Sequence, residues 1–471
     1  MTRLELLNLS SGFGIGQNAA LNNKDGIWNT AIGQDALMTN EDGNSNTALG
    51  AFALLTTTSG ANTAIGKSSM QSLTTGANNT AVGSGAMRNG QTAAGNTAIG
   101  INALRVNNGI GNVVMGNNTM SGSVKGDYNV AVGTGALNST DTSYTVAIGF
   151  NALNANTTGA HNTAVGAHSL ETGAAFNENT AIGFSTLQNN QGTQNTAVGA
   201  NTLVNNTSDL NTAIGYRAMW STSGGDNTAL GAFALSNNQG VGNVGVGNLA
   251  LFSNTGSKNV ALGNNALSVN NGSENVAIGE SSLLKNTTGG FNTAIGTGSL
   301  ANNETGTFNV AIGYLTANQS KGSNNTTIGT DAMIFHSSGD NNTVVGHSAK
   351  RQNQNGSNNT IIGKSAGYNY GGSSSVFVGY ESGFNETIDN RLHISNTANT
   401  PTTPSLIYGE FDTKKVEING SLKVSDVINL TALASPPGSP TVGDIYVDDG
   451  SCSSCSGPTL RYYNGSTWNN L

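Results

Sequence analysis

Charge, cysteine and proline are all scarce in this chain of 471 residues, and each scarcity closes off a class of protein. Only 9% of residues are charged, against about 25% in an ordinary globular domain. Lys and Arg number 18 against 26 Asp and Glu, a formal charge of −8, and the basic residues form no stripe or run. No nucleic-acid partner is expected from such a surface. Six prolines are too few for a collagen strand or a stiff proline-rich spacer. Both cysteines, Cys452 and Cys455, lie near the C-terminus, so disulfides do not hold the body of the chain together. No segment reaches about 18 consecutive apolar residues. The start, Met1-Thr2-Arg3-Leu4-Glu5-Leu6-Leu7, lacks the apolar run and small-residue cleavage site of a secretory leader. No membrane insertion is expected.

What is abundant is glycine, 65 residues, together with Asn, Thr and Ser. Such a composition suits a disordered chain unless a period organises it. A period does. Asn-Thr-Ala-Ile-Gly and its variants recur from Gly16 and Gly33 through to Gly363 and Gly379, 23 glycines separated by 16 or 17 residues every time. Each repeat therefore completes one geometric circuit. Sixteen residues are too few for a βαβ unit, which needs about 30, and Asn and Gly disfavour helix. A narrow all-β coil remains. With strands about 4.8 Å apart, 22 intervals give a rod roughly 105 Å long.

Five columns define the repeat. The residue before the glycine is Ile, Val, Leu or Met in all 23 repeats, as in Ile65, Val82 and Leu230, and reads as a buried column. The third residue before it is Thr or Val in 22, β-branched as a strand prefers. Between them stands Ala in 16, on the opposite face and hence pointing outward. Four residues after the glycine comes Leu or Met in 18, read as a second short strand. Asn precedes the strand in 20, a corner residue whose stacked amides can form a ladder. No residue of the Ala column carries a charge. A solvated face would accept Lys or Glu somewhere, so this column is expected to pack against another copy of the chain.

The residues Asn-Thr-Ala-Ile-Gly-x-x-Ala-Leu resemble the YadA-like head of trimeric autotransporter adhesins over residues 12–383. The resemblance implies a left-handed parallel β-roll and a homotrimer. Those adhesins also carry a signal peptide, a coiled-coil stalk and a membrane barrel, which are not seen here. The pattern is closer to a phage tail or head fibre, or to a contractile injection system fibre, assembled in the host cytoplasm and borne on a virion or virion-like particle. Its partners would be other virion or baseplate proteins and a host-surface glycan or protein. An adhesin head displayed on a bacterial surface, and an ice-binding solenoid suggested by 14 Thr in one column, are the alternatives. Exchange of that Thr with Val suggests burial and weighs against ice.

Around residues 1–11, an N-terminal segment precedes the roll. After it come a β-rich neck (384–430), a Pro-rich linker (431–443) around Ala434–Pro440, and a C-terminal module (444–471) with a hairpin signal at Asn464-Gly465. The decay of the repeat at Gly367, Phe377 and Gly383 reads as a cap. Tyr446, Tyr462, Tyr463 and Trp468 form either a stacking surface for a glycan or the core of a tiny domain. Cys452 and Cys455 would be half a zinc site without a second pair, which leaves a loop disulfide or free thiols. The histidines, His161, His168, His336, His347 and His393, are dispersed and read as surface turn residues. Gly12-Phe13-Gly14-Ile15-Gly16 mimics a nucleotide fingerprint but leads into no helix. Calcium rolls need recurrent Asp in the turns, where Asn stands instead. No catalytic, cofactor or metal site is expected, and the chain does not read as an enzyme.

Overall fold

The computed structural model describes residues 6–470 except 10–11, 140, 174, 353–354, 399–403, 426, 429, 431, 434–437, 439, 441, 443 and 449–458. Cys452 and Cys455 and most of the Pro-rich linker lie outside the described residues. The protein is all-β and forms two compact units, Met1–Val416 and Glu417–Leu471.

The first unit is a parallel β-solenoid of about 24 turns. Each Asn-Thr-Ala-Ile-Gly segment contributes a strand of three or four residues, such as Thr63–Ile65, and pairs in register with the turns before and after it. Ala48, Ala64 and Ala81 stand directly above one another. The last parallel strand is Arg391–Ile394, which stacks on Val376–Val378 with His393 opposite Phe377. It continues the coil one turn beyond the last repeat glycine. Both ends of the ladder are covered by a strand running the other way: Leu6–Leu9 on Gly12–Ile15, and Ile407–Glu410 on Arg391–Ile394. An open parallel edge would template further chains, and these strands occupy it.

The glycine column has a backbone cause. Gly33 has φ +131°, and a Cβ there would lie 2.6 Å from the carbonyl of Gly50 in the next turn. Any side chain would meet both a forbidden torsion and the neighbouring backbone. Leu37, Met70 and Leu104 are also left-handed, with φ 51°, 49° and 52°, where glycine would be easier. Each costs about 1–2 kcal/mol of torsional strain, against about 1.5–3 kcal/mol from burying a long aliphatic side chain. All three are fully buried, so the burial wins.

The interior differs from the sequence expectation in which face is which. The Ala column is the buried one: Ala31, Ala64 and Ala213 are 0% exposed. The aliphatic column points out, with Leu230 at 47% and Ile214 at 40%. The reason is room. A coil this narrow accepts about one long side chain per turn, and Leu or Met already supplies it; a Cβ on Gly245 of the Ala column would lie 3.0 Å from the Leu235 side chain. Where the Ala column enlarges to Phe377, the Leu column shrinks to Gly383, whose own Cβ would clash with that ring.

Buried amides complete the interior. In the Asn column, the Asn79 backbone N–H donates to Asn62 Oδ1 (3.0 Å), and its Nδ2 donates to the same oxygen (3.0 Å) and to the Ala93 carbonyl (2.8 Å). The ladder expected from the sequence is present, turned inward. A second ladder runs seven residues after the glycine, where Asn254, Asn270 and Asn286 each donate to the preceding one at 2.6–2.8 Å. Twelve of the 23 repeats carry Asn at this offset, a signal available in the sequence but not read there.

Turn length controls the other side of the coil. From Gly183 to Gly279 six successive intervals are all 16 residues. There the far side forms its own parallel sheet of six strands, from Asn205–Asn206 to Lys285–Asn286. Where 16 and 17 alternate, the register slips each turn and only isolated bridges form, such as Ala94 with Ile110.

In the second unit, Ala432–Leu433, Ile445–Asp448, Thr459–Tyr463 and Trp468–Asn470 form a four-stranded sheet. The Asn464-Gly465 hairpin is present, with Asn464 Oδ1 accepting from the backbone N–H groups of Ser466 and Thr467 at 2.9 and 2.8 Å.

Candidate functional site

Three places concentrate side chains that could do more than fill the coil. The first is the outward face of the main sheet. Its two columns, Thr/Val and Ile/Val/Leu/Met, contain no charged residue in any of the 23 repeats. Leu49, Met115, Leu230 and Leu262 are 41–47% exposed. The strip is about 105 Å long and two side chains wide, about 7 Å, hence roughly 700 Å². Exposed apolar patches of more than a few hundred Å² mark interaction surfaces. Aromatic rings flank it in stacks: Tyr128, Tyr144 and His161 with centroids 5.5 Å apart, and Phe291 on Phe308 at 4.8 Å.

The second is the C-terminal end of the solenoid, where polar groups replace the regular core. Lys350 occupies the Leu/Met column and is 0% exposed. Its Nζ donates to the Tyr370 carbonyl at 3.0 Å and lies 5.2 Å from the Tyr370 ring centroid. Burial drives its pKa from 10.5 down to about 8, against an upward pull from Asp389. Tyr370 and Glu386 stand where the second Asn ladder would continue. Burial raises Tyr370 to about 12, while its hydroxyl sits 2.7 Å from Ser375 Oγ. Phe377, tilted against His393 at 5.2 Å, separates this group from the last turn.

His393 lies between two oxygens, with Nδ1 2.7 Å from Ser405 Oγ and Nε2 2.8 Å from Glu386 Oε2. Burial raises the Glu386 pKa, but the bonds from His393 and from the Ile388 and Thr387 N–H groups outweigh it and hold the carboxyl at about 2. A hydroxyl, an imidazole and a carboxylate in series are the connection that activates serine hydrolases. Here Ser405 is 3% exposed and His393 4%. With the hydroxyl shut inside the last turn, no substrate reaches it; the carboxylate and hydroxyl fix the ring as core. Two of the histidines expected on the surface, His336 and His393, are thus buried, because they take inward positions of the second Asn column and the Ala column; His161 and His347 are exposed and His168 half-buried. Among the described residues no group of three His, Cys, Asp or Glu side chains is placed to hold a metal, and no helix is long and apolar enough to cross a membrane.

The third is the aromatic group of the second unit. The structure brings together three of the four expected rings: Tyr446 against Trp468 at 4.7 Å and Tyr463 against Trp468 at 5.3 Å. Tyr446 is 5% exposed and Trp468 half-buried. Tyr462, 37% exposed, points to the opposite face of its strand. Three rings packing on one another are a small core, so the four do not form one flat platform.

These faces define a parallel β-solenoid protein with one apolar and uncharged side. Comparison of the chain with protein-family models, with curated proteins and with solved structures finds no match.

Proposed function

We propose that the chain is one third of a homotrimeric fibre of a phage or phage-like particle, a rigid spacer that also serves in attachment to a host surface. The observation that carries this reading is the outward strip: two columns, 23 repeats and no charge. Roughly 700 Å² per chain is close to the about 800 Å² per partner of a stable interface, and a trimer would cover it along its whole length. The sequence argument for oligomerisation survives with its columns exchanged. The small side chains let the coil close, and the aliphatic ones are left for the neighbouring copies. Sedimentation of the full chain at micromolar concentration is expected to give a trimer, and Ile214→Lys with Leu230→Lys to give a monomer of unchanged circular dichroism. A wild-type monomer refutes the reading. Electron microscopy of the native assembly with antibodies to the chain tests its place on a particle.

One observation favours a second reading. The 14 Thr of the Thr/Val column lie on the outward face, Thr228 and Thr343 among the most exposed, so the ground of burial for setting ice binding aside does not hold. An ice recrystallisation assay separates the two, since a trimer would hide this column.

A further inference from the structure

The regular sheet on the far side of the coil carries a groove of about 350 Å³ lined by Asn205, Thr207, Ser221, Ser223, Asn237 and Gln239. None of its lining residues is charged. Elsewhere in the coil the amides and hydroxyls are largely engaged, as in the two Asn ladders. In the groove, the side chains of Thr207, Ser221, Ser223, Asn237 and Gln239 make no hydrogen bond to another protein group. They are hydroxyls and amides, groups that both donate and accept. They recur once per turn, about 4.8 Å apart. Beside them Trp220, which directly precedes Ser221, is 39% exposed.

We propose that this groove binds a neutral, hydroxyl-rich saccharide lying along the solenoid axis. Paired donors and acceptors of zero charge match vicinal hydroxyls, whereas phosphate, sulfate or carboxylate would find no counter-charge among the lining side chains. The spacing of turns is comparable to that of successive pyranose units, so equivalent side chains of adjacent turns meet equivalent hydroxyls. An exposed indole at the rim offers the apolar face that sugar C–H groups pack on. The groove exists only because consecutive turns of 16 residues keep the far side in register, and it lies on a different sheet from the apolar strip. It therefore stands or falls independently of the trimer.

The test is saturation-transfer NMR and calorimetry on the full chain with neutral gluco-, xylo-, manno- and chito-oligosaccharides, and with heparin fragments as a charged probe. At least one neutral series is expected to bind. Asn237→Ala with Gln239→Ala is expected to weaken it about tenfold, the effect of two ordinary hydrogen bonds. Asn264→Ala, on an exposed position outside the groove, is expected to leave it unchanged, and thermal melts of the variants check folding. Absence of binding by every neutral series, binding of heparin alone, or neutral binding that survives the double variant overturns the proposal.

Discussion

Replacing Lys350 with Met is expected to leave the end of the solenoid as stable as before or more so, although it removes a buried hydrogen-bonding cation. Lys350 occupies a column that is Leu or Met in 18 of 23 repeats, with Met333 one turn before it. The depression of its pKa from 10.5 to about 8 means that holding the ammonium there costs about 3 kcal/mol relative to the unfolded chain. Met is close in length and removes that cost. Against it stands the Tyr370 carbonyl, which loses its donor at 3.0 Å, for about 1–3 kcal/mol. The balance is near zero to about 2 kcal/mol in favour of Met. The pH dependence is the sharper readout. A lysine whose folded pKa is depressed is penalised below pH 8, where both states are charged, and the penalty is released as pH rises from about 8 to 10.5. Resistance of residues 344–395 to a broad protease should therefore increase over that window by up to about 300-fold in the wild type, and stay flat in Lys350→Met. A variant destabilised by more than about 3 kcal/mol, or one that keeps the rise, refutes the reasoning.

Gly231→Ala should cost at least about 2–3 kcal/mol, because φ is +138° and the new Cβ would sit 2.6 Å from the Gly247 carbonyl. Gly242→Ala, with φ +70° and only the Lys258 side chain within 4 Å, should cost about 1–2 kcal/mol; urea unfolding compares them. Phe377→Ala should cost about 3–5 kcal/mol by opening a cavity, and adding Gly383→Leu should recover part of it by restoring the Ala and Leu pattern of the earlier turns, as read by thermal melting. Glu386, held at about 2 against a usual 4.5, stabilises the last turn fully above about pH 4.5 and loses that contribution as pH falls toward 2. Glu386→Gln should remove this acid-dependent step in proteolysis between pH 5 and 2.

The period, the strand at each Asn-Thr-Ala-Ile-Gly and the Asn ladder were legible in the sequence, because each depends on spacing along one chain. Which face looked inward was not. Alternation along a strand separates two faces without naming them, and the usual rule puts Ile65 inside and Ala64 outside. The volume of the coil reverses the rule, and volume is visible only once Leu54 and Met70 are known to point to the same interior. The buried polar end was missed for a related reason. Lys350, Tyr370 and His393 are unremarked single substitutions in the sequence, and only the register of the turns places them in columns where Leu, Asn and Ala stood before.

The run of turns with equal length has a mechanical consequence. Between Asn205 and Asn286 the coil is laced on two sides by continuous ladders of hydrogen bonds, and outside it on one. Bending or shear between turns must break both ladders there, but elsewhere can be taken up on the irregular side. Under a lateral load the unit would behave as a splinted rod, stiff along that stretch and compliant on either side of it, and deletion or insertion of a single residue within the stretch would move the hinge.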